Sequence, residues 1–377
     1  MYKIIFLIIS IFFLAFLIGV SVGHYELFPY DFVVDTKQLF FNTNQQNFRN
    51  SFEVFEDLNE GLKNISINST SDIETKRINL YEYIWFTNSI PTKLPDLINY
   101  DIENQNFNDL DNLKRIDQFT INMDYGINSI PYLFLSENSN KKLIIYHQGH
   151  AEKTFSEDKK LIQTFLNQGY SVLIFSMILH GDNHQPVVEL ENIGKLKLTT
   201  HNHLKFLESS SLHSLKFFVE PISISLNLME QQYDFDSYNM IGLSGGGWTT
   251  TIYSALDPRI SKSFSIAGSL PVYLRSDIKN LGDYEQTIPE FLKIANYIEL
   301  YLMSSYGENR SAVQVFIKSD PCCFPSELYE KYPYERLILE KLELLGSGEF
   351  DVIIDGSTDK HEISEAILEK ILQELII

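Results

Sequence analysis

The stretch IGLSGGGWTTTIYSALDPRI, Ile241–Ile260, constrains the fold of this chain more than any other segment. Ser244 stands among Gly242, Gly245 and Gly246, directly after one apolar run and before another. Glycine weakens both strands and helices because it loses the most backbone freedom on folding. Ordinary packing therefore gives no reason for this cluster, and we expect a tight turn in which the backbone comes close to Ser244.

The flanking patterns predict a strand, YNMIGLS, before the turn and a helix, GGGWTTTIYSAL, after it. A G-x-S-x-G sequence between a strand and a helix is the context of a nucleophile elbow, which holds a serine clear of the sheet. The alternative is a glycine-rich loop that binds phosphate, but neither a P-loop lysine nor a G-x-G-x-x-G match accompanies it. We predict that Ser244 is a nucleophile.

A serine nucleophile needs a base, and the base needs a group that orients it. His361 is the one histidine after Ser244 in the chain, and it lies between a predicted strand and the last helix. Asp320 ends the preceding strand, VQVFIKSD, and Pro321 then forces a turn. We predict His361 as the base and Asp320 as the acid. The rival acids are Asp355 and Asp359, beside His361 in sequence, and Asp277 and Asp283, which come too early.

An oxyanion needs two backbone N–H donors. The residue after the nucleophile, Gly245, supplies one of them in an elbow. The turn after the strand KKLIIY supplies the other, and we predict Gln148, with His150 as the alternative. No metal and no cofactor is expected, because no carboxylate or cysteine joins the histidine pairs at ligand spacing. Those pairs are His147 with His150, His180 with His184, and His201 with His203.

Strands and helices alternate from Arg115 onward, after an initial hairpin. This order indicates an α/β fold with a mostly parallel central sheet and helices on both faces. Such sheets hold their sites at the carboxyl ends of the strands, where the polar turns of this chain lie. We divide the chain into an N-terminal segment 1–23, an extension 24–113 that packs on the main domain, and a catalytic domain 114–377.

The N-terminal segment has Lys3 before an uncharged run, Ile4–Val20. A positive charge before such a run predicts that the rest of the chain lies on the far side of the membrane. We favour a retained anchor, with cleavage after the small residues Ser21–Gly23 as the alternative. A net charge of -20 excludes nucleic acid as a partner, because phosphates attract basic surfaces.

The two cysteines, Cys322 and Cys323, are adjacent, so they provide no disulfide framework within the chain. We interpret them as small apolar residues, with an oxidised pair as the alternative.

From about Arg115 to its end, the chain resembles the α/β-hydrolase superfamily, and within it the dienelactone-hydrolase and acetyl-xylan-esterase-like branches. The resemblance rests on His147–His150, Gly242–Gly246, Asp320 and His361. It implies a serine hydrolase that cleaves small carboxylic esters through an acyl-enzyme without a cofactor, and the N-terminal run makes us expect it to be membrane-tethered or secreted. Two other classes stay open: a peptidase of the prolyl-oligopeptidase-like kind, and a binding protein that kept the fold without catalysis.

Overall fold

The computed structural model describes residues 65–150, 158–191, 193–275, 280–331 and 333–376. The predicted segment 1–23, with its apolar run Ile4–Val20, lies outside these residues, as does the first part of the predicted extension. Among the helices of the described residues, none is long and apolar enough to cross a bilayer.

Short runs rich in Val, Ile, Leu, Phe and Tyr form the strands, as expected for β-branched and aromatic residues. The strands of the described residues are β1 (Leu97–Asn99), β2 (Leu113–Asn122), β3 (Asn128–Ser129), β4 (Tyr132–Ser136), β5 (Lys142–His147), β6 (Ser171–Phe175), β7 (Val187–Leu190), β8 (Gly194–Lys197), β9 (Ser237–Leu243), β10 (Ile260–Ile266), β11 (Ser311–Ile317) and β12 (Glu349–Asp355). The large sheet has the order β1-β2-β4-β6-β5-β9-β10-β11-β12, with β3 paired to β2. Neighbours from β6 to β12 are parallel, whereas β1, β2, β4 and β6 pair antiparallel. β7 and β8 form a separate small sheet.

The helices lie between these strands in the chain. They are α1 (Thr70–Trp85), α2 (Lys159–Asn167), α3 (His201–Leu204), α4 (Lys216–Gln232), α5 (Gly245–Leu256), α6 (Pro289–Ile294), α7 (Tyr297–Ser305), α8 (Ser326–Lys331), α9 (Glu335–Leu345) and α10 (Glu365–Ile376).

The sheet separates two hydrophobic cores. In β5, Leu143 and Ile145 join the larger core, whereas Ile144 and Tyr146 join the smaller one, because successive side chains of a strand point to opposite faces. Buried residues of α1, α4, α5, α7 and α9 complete the larger core. Those of α2 and α10 complete the smaller one. The predicted parallel sheet with helices on both faces is confirmed.

Two parts of the chain differ from the prediction. The loop predicted from His180 to about Ser211 contains β7, β8 and α3. The helix predicted over Glu290–Ser304 is two helices, because a capping box of Asn296 and Glu299 starts α7 after α6 has ended.

Residues 65–113 belong to the same compact unit as the rest of the described chain. Helix α1 lies against the end of α5, where Tyr81 Oη donates to the carbonyl of Leu256 at 2.6 Å and Arg77 Nε donates to that of Ala255 at 3.0 Å. Lys76 pairs with Glu299 of α7 at 3.0 Å. Side chains of α1 therefore supply hydrogen-bond donors to the last carbonyl groups of α5.

Candidate active site

Ser244 lies in a sharp turn between β9 and α5, with φ 58° and ψ −126°. A positive φ is uncommon for a residue with a side chain, and its strain is often found at functional sites. The flanking glycines are required by contact: a Cβ on Gly242 would lie 2.1 Å from the carbonyl oxygen of Gly246, and one on Gly246 would lie 2.0 Å from that of His147. The Ser244 amide donates to the carbonyl of Ile266 at 2.8 Å, which ties the turn to β10.

Asp320 and His361 meet although they are 41 residues apart. Nδ1 of His361 lies 2.9 and 3.0 Å from the two carboxylate oxygens of Asp320. Backbone amides of Cys322 and Cys323 also donate to Asp320 Oδ1, at 2.8 and 3.3 Å. These contacts hold the proton of the imidazole at Nδ1 and leave Nε2 as an acceptor.

Ser244 and His361 line one cavity of about 1750 Å³. Nε2 of His361 is buried, and within the described residues it has no hydrogen-bond partner, so the structure contains no bond between it and Ser244 Oγ. A buried acceptor without a partner is rare in folded proteins, and each case calls for a physical explanation. The residue that carries this atom lies in the wall of the same cavity as Ser244.

Cys322 and Cys323, on the wall of the same cavity, are joined by a disulfide bond. The structure thus favours the oxidised pair over the interpretation as small apolar residues.

The turn after β5 lies against Ser244. A Cβ on Gly149 would lie 2.7 Å from Ser244 Cβ and 3.4 Å from its Oγ. The prediction that Gln148 is the second oxyanion donor is wrong, because its amide donates to the carbonyl of Phe175 at 2.9 Å. Its buried side chain instead braces the turn: Oε1 accepts from Ser176 Oγ at 2.9 Å, and Nε2 donates to Asp158.

Two of the rival acids, Asp355 and Asp283, have other partners in the described residues. Asp355 accepts from the amide and the hydroxyl of Ser357, at 2.9 and 2.6 Å, and thereby shapes the loop after β12. Asp283 pairs with His150 at 2.8 Å. Asp277 lies outside the described residues. Among the described residues, the predicted acid Asp320 is thus the carboxylate bonded to His361 Nδ1.

The sequence did not reveal a second polar cluster, which consists of His150, His201, Asp283 and Glu285. One ligand atom of each lies within 4.8 Å of the others, so the set could hold a metal ion. Burial alone would lower the pKa of His201, but Glu285 and Asp283 raise it above its ordinary value. The hydrogen bond from His150 lowers the pKa of Asp283. The histidine pairs that the sequence suggested were the wrong ones, because His150 contacts His201, 51 residues away.

No model of a known protein family and no curated protein matches this sequence. Solved structures do match. Acetyl xylan esterase 1 from Thermoanaerobacterium sp. JW/SL YS485 is similar with a TM-score of 0.54 and 14% identity, over 86% of this chain and 98% of that one. The acetyl xylan esterase from Paenibacillus sp. R4 has a TM-score of 0.55 and 13% identity, over 86% of this chain and 99% of that one. The predicted resemblance is confirmed: the chain has the α/β-hydrolase fold, in a form similar to that of the acetyl xylan esterases.

Proposed function

We propose that this protein is a serine hydrolase that cleaves small carboxylic esters, with Ser244 as nucleophile, His361 as base and Asp320 as the residue that orients the base. One observation carries the proposal: His361, bonded to Asp320 through Nδ1 and with an unpartnered Nε2, lines the same cavity as Ser244, which lies in a strained turn. Nucleophile, acid and base also follow each other in the chain in the order of this fold.

In the first half-reaction, Ser244 Oγ attacks the ester carbonyl while His361 Nε2 takes its proton. The tetrahedral oxyanion then collapses, and the same proton passes to the departing alcohol. Water repeats these steps on the acyl-enzyme and releases the acid. Asp320 keeps its negative charge throughout and stabilises the imidazolium.

For the oxyanion we propose the amides of Gly245 and His150. Gly245 is the first residue of α5, where amides have no partner within the helix. The His150 amide replaces that of Gln148 as the second donor, because it follows Gly149, whose backbone lies against Ser244. In the described part of the chain it makes no backbone hydrogen bond. Each donor contributes a factor of about 10²–10³ in rate.

We further propose that the chain is exported and kept at the membrane by the run Ile4–Val20, which places the hydrolase on the extracytoplasmic side. The proposal rests on Lys3 and on the uncharged run that follows it.

A fluorophosphonate probe tests the nucleophile directly. Wild type should label, and Ser244→Ala should not. Asp320→Asn should label much more slowly than wild type and turn over ester about 10⁴-fold more slowly, because the imidazole loses its tautomer. Ser319→Ala is the matched control, since this hydroxyl lines the same cavity without any assigned role. Equal labelling of wild type and Ser244→Ala would contradict the proposal and leave a binding protein with this fold.

The substrate class is tested with p-nitrophenyl esters of increasing acyl length beside peptide amides. The names of the similar structures make acetyl esters, including acetylated xylan, the first to try. We expect ester turnover that falls as the acyl chain lengthens. Labelling together with peptide cleavage and no ester turnover would establish the peptidase instead.

A further inference from the structure

The cluster of His150, His201, Asp283 and Glu285 is built as a set of ligands around one point. Nδ1 of His201 lies 2.9 Å from His150 Nε2 and 3.1 Å from Glu285 Oε1. Asp283 Oδ2 lies 2.8 Å from His150 Nε2 and 3.6 Å from His201 Nδ1. A tetrahedral ion with bonds of about 2.0–2.1 Å has ligand-to-ligand edges of roughly 3.3 Å, and the observed separations lie on both sides of this length.

The hydrogen bond that His201 makes through Nε2 leaves Nδ1 as the ring nitrogen that faces the cluster. Its Nε2 lies 3.0 Å from the carbonyl oxygen of Ile178, which can only accept, so Nε2 carries the hydrogen. Nδ1 then faces Glu285 Oε1 at 3.1 Å and can serve as a metal ligand when it carries no proton. Metal-binding histidines are held in the same way, with the second ring nitrogen donating to a carbonyl or carboxylate.

Glu285 supplies the independent observation. Its side chain is 0% exposed, and within the described residues Oε2 has no hydrogen-bond partner. A buried carboxylate with one oxygen that receives no donor is costly, since burial of an ion must be offset by a charge or by donors. A cation between His201 and Glu285 offsets it.

We propose that His150, His201, Asp283 and Glu285 bind one divalent metal ion of the zinc class. Two imidazole nitrogens favour zinc over calcium or magnesium, which prefer oxygen ligands. Four protein ligands close the coordination sphere, as in structural rather than catalytic zinc sites. His150 and Asp283 are about one-third exposed, at 31% and 32% of their side chains, so the ion reaches the site from solvent.

The ion would fix the turn beside the nucleophile. A Cβ on Gly245 would lie 2.7 Å from His150 Cε1, so the His150 ring packs on the first residue after Ser244. Its metal bond joins this turn to α3 and to the segment around Asp283. The site is thus a brace for the turn, and it requires no chemistry at Ser244.

The test is metal binding by the full-length chain in detergent, after removal of metal with a chelator. Calorimetric titration with Zn²⁺ should give one ion per chain. Co²⁺ should give the intense visible absorption of a tetrahedral site. His201→Asn and Glu285→Gln should each weaken Zn²⁺ binding by about 100-fold or more, beyond the 10–100-fold typical of outer-shell changes. Asp283→Asn, at a partly exposed position, gives a third ligand variant should a buried one fail to fold.

His203→Asn is the matched control, because His203 lies on the same short helix and accepts from the Thr199 amide at 3.2 Å. It should bind Zn²⁺ within about threefold of wild type, well inside the range of an outer-shell change. The proposal is overturned if wild type binds no stoichiometric Zn²⁺, or if the ligand variants bind it unchanged. In that case the four side chains are an ion-paired cluster around a protonated His201.

Loss of binding in His361→Asn would also overturn the proposal, since it would assign the ion to a different site that includes His361. Ser244→Ala should bind Zn²⁺ like wild type. A protein that binds Zn²⁺ at these ligands but does not label with fluorophosphonate would contradict the proposed function alone.

Discussion

His147 ends β5 with its ring inside the protein, stacked on Phe175 at a centroid distance of 5.9 Å. Nδ1 lies 2.9 Å from the carbonyl oxygen of Gln148, so it donates and Nε2 carries no proton. Burial lowers the pKa of His147 from 6.5 to about 4, and the charges of His201 and His150 act in the same direction. The residue is therefore neutral in the folded protein under conditions in which it is charged in the unfolded chain.

Because His147 is buried in its neutral form, we predict that the folded protein loses stability in acid. The folded pKa lies below the unfolded one, so the unfolded chain takes up the proton first as the pH falls below 6.5. The contribution of neutral His147 to the free energy of unfolding is complete above pH 6.5, and it is lost as the pH falls from 6.5 to about 4. We expect the free energy of unfolding to fall by about 3 kcal/mol over this window from His147 alone.

Urea titrations of wild type and His147→Phe between pH 7.5 and 4 measure the effect. The variant keeps a ring stacked on Phe175. Its free energy of unfolding should change less with pH than that of wild type, whatever its stability at pH 7.5. The same substitution at the exposed His184 controls for the loss of a histidine. Parallel profiles for wild type and His147→Phe would contradict the prediction.

Single residues also show what the sequence could and could not reveal about the site. Ser244 could be predicted because its turn needs glycines, and His361 because no other histidine follows. The sequence could not show that Gln148 is unsuitable as an oxyanion donor, because it does not reveal that the Gln148 amide is already bonded to Phe175. The contact of His150 with His201 could not be predicted either, because it depends on where two loops meet rather than on spacing.

Helix α1 is the element that the sequence left without a role, and its polar face explains its position. Tyr81 and Arg77 donate to Leu256 and Ala255, the last carbonyls of α5, which have no partner inside that helix. Arg77 Nη2 also donates to Met303 of α7 at 3.2 Å. Burial raises the pKa of Tyr81 to about 12, so its hydroxyl stays protonated and able to donate.

We therefore predict that Tyr81→Phe lowers the free energy of unfolding by about 1–2 kcal/mol, because the Leu256 carbonyl loses its donor inside the protein. Denaturant titration measures this. Tyr83→Phe is the matched control: it removes the same atom from the same helix, where the hydroxyl makes no hydrogen bond within the described residues. A loss as large in Tyr83→Phe as in Tyr81→Phe would mean that the hydroxyl bond to α5 contributes nothing specific.

The elements of the sheet could be predicted because each parallel strand is a short apolar run bounded by polar turns. The break between α6 and α7 was missed, since apolar residues continue across it and only Asn296 marks the new start. The small sheet of β7 and β8 was missed because its strands are half exposed, which weakens the apolar signal.

At the scale of the whole molecule, the chain joins an acidic body to a strongly apolar N-terminal run. Lys and Arg number 30 against 50 Asp and Glu, which gives the net charge of -20. Such a body is repelled by anionic membrane surfaces, so contact of its own surface with lipid headgroups would not hold it there. We therefore expect any attachment to a membrane to come from the N-terminal run.

We predict that the full chain, expressed in cells with an export pathway, stays with membranes after alkaline carbonate extraction. Leu14→Arg should abolish this, because a charge at the centre of a spanning helix costs about 2.5–3.5 kcal/mol. Leu14→Ile is the control that keeps the segment apolar. Recovery of wild type in the medium without residues 1–23 would establish cleavage instead, and retention of Leu14→Arg on membranes would exclude the run as the anchor.

The contact between Gly149 and Ser244 also matters to anyone who redesigns this protein. Any side chain at position 149 would press on the nucleophile, so the turn and the elbow can change only together. The loop 356–360, between β12 and α10, lines the same cavity, and a Cβ on Gly356 would meet only Lys318 Cδ, at 3.8 Å. A library aimed at new substrates is therefore best confined to that loop, with glycine kept at position 149 in every member.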